Sequence, residues 1–198
     1  MLPAFLGPFV PLPMPMRVAA PRAAPVSGLA LRLAPVGGAP SSNTLHFVMQ
    51  TQQENNWCWA ATTSSVSNFF NSSSTWTQCA VASKCLGSSC CVAPKPCDKT
   101  FTLDGPLGWT GNLQGIPVPG NGSQTDVQTQ IDGGNPVCCH ISWSGGGGHF
   151  VAISGYDWNS GDVFVEDPFY GSHAVPLATF ISSYRGSGTW DYTYYTQL

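Results

Sequence analysis

Behind a polar stretch, Gln52 to Asn56, that has no helical pattern, the chain turns small and then apolar from Ala60 to Phe70. That contrast predicts a buried helix with Cys58 in its first turn. Ahead of it, Leu45 to Met49 is a short apolar run and predicts a leading strand. Trp76-Thr77-Gln78 opens a second, shorter helix to about Leu86. Thr100 to Asn121 reads as irregular, with a short helical piece at Leu103 to Leu107. Ser123 and Asp126 make a Ser-x-x-Asp start and Gly133-Gly134 a stop, which predicts a helix from Gln124 to Asp132. The pattern then shifts to a period of two. Pro136 to Trp143, His149 to Tyr156 and Asp162 to Asp167 read as strands, with a glycine turn at Gly145 to Gly148. Leu177 to Tyr184 reads as a short helix, and Thr189 to Thr196, with Trp190, Tyr192 and Tyr194 alternating, as a closing strand. Helices followed by antiparallel strands predict an α+β architecture.

Composition adds a boundary. Met1 to Ser42 holds nine of the 17 prolines and no acidic residue. Such a segment blocks helices and ladders and buries no core, so residues 1–42 read as a disordered Pro/Ala-rich tail or a removable pro-segment, and 43–198 as the folded domain. From Asn43 onward four Lys/Arg stand against ten Asp/Glu. With charge sparse and slightly negative, nothing suggests nucleic acid or anionic membrane as a partner. The lack of an 18-residue apolar run excludes a spanning helix. Eight cysteines in a chain of this size suggest an oxidising compartment and a secreted protein. Five of them, Cys79, Cys85, Cys90, Cys91 and Cys97, crowd a loop rich in Gly, Ser and Pro. The loop has no Cys-x2-Cys with matching His spacing, so disulfides are expected over zinc. If Cys58 is free, seven remain, and at least one more is left unpaired among these and Cys138 and Cys139.

The chemistry centres on Asn56-Trp57-Cys58-Trp59-Ala60-Ala61. First-turn N–H groups of a helix are unpaired and the macrodipole is positive there, so a thiolate at Cys58 is stabilised and becomes a nucleophile. Gln52, six residues earlier, offers a side-chain amide to an oxyanion beside the Cys58 N–H; Gln53 is one residue out of register for that role. His149 follows the glycine turn and shares a strand face with Val151 and Ile153. Asp167 lies 18 residues further on and shares a face with Val163 and Val165. Its carboxylate is placed to accept one ring N–H of His149 and favour the imidazolium. Glu166 points the other way. Trp57, Trp59 and Trp143 are expected to wall the substrate site, and Gly147 and Gly148 to let its backbone approach. His140, mid-strand, reads as structural, and no motif surrounds His46 or His173.

Gln-x5-Cys-Trp at a helix start resembles the papain-like cysteine proteases, and the Asn-Trp-Cys-Trp-Ala-Ala form is similar to the bacterial, avirulence-protein-type branch. The resemblance runs from about Leu45 to the C-terminus. It implies a helical half holding the cysteine and an antiparallel β-barrel half holding the histidine. It also implies a Cys58–His149–Asp167 triad with Asp where many relatives use Asn, a protein or peptide substrate, and no cofactor or metal. The expected reaction is peptide-bond hydrolysis through a thioester. Transamidation or deamidation through the same acyl-enzyme is the alternative.

Overall fold

Seven strands pair into one antiparallel sheet in the computed structural model, which describes residues 40–198. They are β1 (Ser42–Thr44), β2 (Val118–Pro119), β3 (Val137–Trp143), β4 (Gly148–Asp157), β5 (Asp162–Asp167), β6 (Gly171–Pro176) and β7 (Gly188–Tyr195), in the order β2-β7-β3-β4-β5-β6. β1 continues the edge of β4 where β3 leaves off: Val137 stands opposite Ile153, and Thr44 opposite Gly155. A Cβ at Gly155 would lie 2.7 Å from both the Asn43 carbonyl oxygen and the Phe164 ring. Only glycine lets β1 come this close.

Helices cover the sheet on both faces, because the strand residues alternate between two cores. Cys138, Phe150, Ala152 and Tyr194 pack with α1 (Cys58–Phe70), α2 (Gln78–Leu86) and α3 (Asp104–Thr110). Cys139, Ile141, Val151, Ile153, Val163 and Val165 pack with α4 (Gln124–Asp132) and α5 (Leu177–Ser183). In α4 the expected capping box forms: the Asp126 N–H donates to Ser123 Oγ at 3.1 Å and the Ser123 N–H to Asp126 Oδ2 at 2.8 Å.

Three expectations are corrected. The sheet is open: β2 and β6 at its ends do not pair with each other, and two cores lie outside its faces instead of one inside a closed barrel. Nor are the helices gathered in an N-terminal half, since α4 and α5 serve the second face. The leading strand is Ser42–Thr44, ahead of the apolar run. Leu45 to Met49 instead packs as a coil, with Phe47 against Phe69 at 5.6 Å. Residues 1–39 of the expected tail lie outside the described residues. Pro40, by contrast, is held to the domain, its carbonyl accepting from Gln128 Nε2 and the Tyr156 hydroxyl. Among the described residues no helix is long and apolar enough to cross a membrane.

Candidate active site

Cys58 is the first residue of α1, and Trp57 before it supplies no side-chain cap. The first-turn N–H groups therefore lack the usual capping acceptor and stay available to a negative charge. The segment is anchored to the loop at 95–99. Trp57 Nε1–H donates to the Cys97 carbonyl at 2.8 Å and Trp59 Nε1–H to the Lys99 carbonyl at 3.0 Å. The Asn56 N–H donates to Asp98 Oδ1 at 2.7 Å, and Lys95 pairs with Glu54 at 2.6 Å. That loop is tied through Cys97 to Cys90, and Cys79–Cys91 ties the neighbouring residue to α2, which leaves Cys58, Cys85, Cys138 and Cys139 free. Cys138 and Cys139 are fully buried, and burial pushes both thiols up, which makes them inert core residues.

His149 is the second residue of β4, paired with Ile141 of β3, and Asp167 ends β5. Both side chains project from the same face of the sheet, as neighbours on adjacent strands. His149 Nε2 meets Asp167 Oδ1 at 2.8 Å. Oδ1 also accepts from the N–H groups of Phe169 at 2.7 Å and Tyr170 at 2.9 Å, and the Tyr184 hydroxyl donates to Oδ2 at 2.7 Å. Burial alone would push the His149 pKa down. The Asp167 carboxylate and the Cys58 sulfur outweigh it and push the pKa up to about 9. Burial works on Asp167 in the opposite sense, but His149, Tyr184 and the Tyr170 N–H hold its carboxyl below the usual range. Glu166 turns to the other face, where it accepts from the Ser154 and Ser172 hydroxyls.

Cys58 and His149 meet on the wall of one pocket of about 110 Å³, with Asn55, Asn56, Trp59 and Phe101 on the helix side and His140, Gly148 and Phe150 on the sheet side. With Nε2 engaged by Asp167, Nδ1 is the ring nitrogen left for the thiol. Trp143 lies nearly parallel to the His149 ring, 6.1 Å between centroids, and to Tyr184 at 6.3 Å. Trp57 is a correction: it is fully buried, its ring belongs to the core and its N–H to Cys97, so it does not wall the pocket. Trp59 is buried too but lines the pocket beside Phe101, 5.2 Å between ring centroids. Gly147 sits exposed in the turn, outside the pocket, with a positive φ of 81°.

Gln52 behaves differently from expectation. Its Nε2 donates to the Glu54 carbonyl at 3.0 Å and the Asn55 carbonyl at 2.6 Å, while Oε1 is buried without a partner. Both amide protons are thus engaged beside the pocket, which Gln52 does not line. Its backbone N–H reaches across to the Pro168 carbonyl at 2.9 Å and joins the cysteine segment to the loop after Asp167.

Two residues escaped the sequence reading. Tyr184 carries no motif, and only tertiary packing brings its hydroxyl to Asp167. His140 is not purely structural: it lines the pocket, with Nδ1 at 2.6 Å from Asp191 Oδ1. A Cβ on Gly148 would fall 2.2 Å from His140 Nε2, so glycine is required there. Strand alternation put His140 on the same face as Phe150, Tyr192 and Tyr194, and that was the available signal. No cluster of His, Cys, Asp and Glu suited to a metal ion occurs among the described residues.

No curated protein matches the chain. Among solved structures it is similar to the crystal structure of a double glycine motif protease from an AMS/PCAT transporter in complex with the leader peptide, at 16% identity and a TM-score of 0.48, over 79% of this chain and 95% of that one. The family described as "Peptidase_C39 like family" matches residues 44–192, a span that holds Cys58, His149, Asp167 and nearly all of the sheet. The chain thus belongs to the Peptidase_C39-like family and is a papain-like cysteine peptidase.

Proposed function

We propose that this peptidase cleaves peptide bonds through a Cys58–His149–Asp167 triad. The observation that carries the reading is the His149 Nε2–Asp167 Oδ1 pair, with the other ring nitrogen turned to the pocket that holds Cys58. Asp167 fixes the tautomer and stabilises the imidazolium. The Cys58 thiolate attacks the carbonyl carbon and the C=O electrons move to oxygen. The Cys58 N–H receives that oxyanion. A Gln52 amide proton joins it only after releasing the Glu54 or Asn55 carbonyl, so we assign Gln52 the second place. Collapse of the adduct breaks the C–N bond, the His149 proton goes to the leaving amine, and a thioester remains. Water, giving its proton to His149, hydrolyses it and restores the thiolate.

The substrate is a protein or peptide. Two disulfides support an oxidising, extracellular setting. The narrower placement in the avirulence-protein-type branch rests on the Asn56-to-Ala61 motif alone, and a pro-segment in residues 1–42 on its proline content. The test is labelling with an epoxide-type thiol-protease probe and mapping of the modified residue. Selective modification of Cys58, lost in His149→Ala, is expected. Equal labelling of Cys85, or labelling of Cys58 that does not need His149, refutes the pair.

A further inference from the structure

Beside the pocket over Cys58 lies a second, larger groove of about 410 Å³, and the two share Phe101, His140 and Phe150 as a common wall. The smaller space suits a reacting backbone; the larger takes a long side chain. Tyr192 and Tyr194 complete its aromatic lining, and the Asp104 carboxylate stands at its margin. Phe150 and Tyr194 meet edge to face at 5.8 Å, and His140 lies against Phe150 at 4.9 Å. Asp104 is exposed and has no ion-pair partner among the described residues. Behind His140, Asp191 adds a second carboxylate, held by the His140 ring and by the Ser142 hydroxyl. Neither space is lined by a lysine or an arginine.

Resting on the catalytic reading above, we infer that this groove is a specificity pocket for a basic side chain, lysine or arginine, of the peptide being cleaved. The aliphatic stem of such a side chain packs on Phe150 and Tyr194, its cationic end faces aromatic ring surfaces, and Asp104 supplies the counter-charge. Tyr194 has its hydroxyl pushed up to about 12, first by burial and then by the negative charges of Asp104 and Asp191. Burial disfavours charge of either sign, and only the part of the shift due to Asp104 and Asp191 has the sign that favours a cation. An acidic substrate side chain would meet the same two carboxylates and be rejected.

The test uses the full chain and a position-scanning set of fluorogenic peptides. At one position next to the scissile bond, kcat/KM for lysine or arginine should exceed that for glutamate by about tenfold, the range of an exposed ion pair combined with a cation–π contact. Asp104→Lys should shift the preference toward glutamate. The same peptides are titrated against Cys58→Ala by fluorescence anisotropy, which reads the groove without turnover. Tighter binding of basic peptides, lost in Asp104→Lys, supports the proposal even if hydrolysis is absent, a result that would sink the triad alone. A preference for leucine or phenylalanine, or a basic preference unchanged by Asp104→Lys, overturns the pocket and leaves the triad standing.

Discussion

Cys58 and His149 face each other in one small pocket, yet the two sides are built by different means. The histidine side is set by sheet register. β4 and β5 pair from Ala152 opposite Glu166 to Asp157 opposite Asp162, His149 is laddered to Ile141 and Asp167 to Gly171, and the Asp167 carboxylate is fixed by two backbone N–H groups and a tyrosine hydroxyl. The cysteine side owes its position to a loop. Residues 54–59 are held by side-chain to backbone bonds onto 95–99, and that loop is joined through Cys97 to Cys90, beside a second disulfide, Cys79–Cys91. Ladder bonds are cooperative and spread over many residues, whereas the loop concentrates its hold in a few covalent and polar links. The comparison teaches that disulfides support the Cys58 side and that the His149 side is built without any.

The largest break falls on the register side. His149→Ala should lower kcat/KM by about a thousandfold, within the range for loss of a general acid–base group, measured in steady-state hydrolysis.

Asp167→Asn should be the next largest, about a hundredfold, and it should also move the pH dependence. The His149 pKa of about 9 rests on the Asp167 carboxylate together with the Cys58 sulfur, so the alkaline limb of the rate profile should slide part of the way toward the ordinary histidine value. Stability follows by linkage. The His149 contribution is complete below the unfolded histidine value and is lost as pH rises through about 9. The Asp167 contribution is present above the unfolded carboxyl value and is lost as pH falls through its lowered folded one. Denaturant melts across pH should show both losses in the native chain, and in Asp167→Asn no Asp167 loss and a smaller His149 loss.

On the loop side, the double change Cys90→Ser and Cys97→Ser should cost about 2–3 kcal/mol of unfolding free energy. Hydrogen exchange should quicken at Asn56 to Trp59 and stay slow in β4 and β5. Equal quickening on both sides would erase the distinction. Tyr184→Phe is the finest probe. It removes one donor to a buried carboxylate at about 1.5 kcal/mol, read as a small fall in melting temperature with a few-fold loss of rate.

How much of this was legible follows the same division. The Cys58 helix, the α4 capping box, and the strands carrying His149 and Asp167 all come from local pattern, and local pattern survives folding. Even the choice of Asp167 over Glu166 follows from strand alternation. The polar β6 was missed because its residues are half exposed and show no apolar period. The barrel was expected, but the sheet stays open because both faces of β3 and β4 are apolar and each takes helices. Tyr184, the rotation of the Gln52 amide and the pairing of Cys79 with Cys91 are long-range facts with no local signature. The burial of Trp57 has the same origin, since a tryptophan beside a nucleophile looks the same whether it faces the substrate or the core.

The parallel stacking of Trp143 on His149 gives the enzyme an internal optical gauge. An imidazolium quenches indole emission more strongly than a neutral ring does. The fluorescence of Trp143, isolated as the difference between the native chain and Trp143→Phe, should therefore brighten as His149 loses its proton, and report that proton without any substrate present.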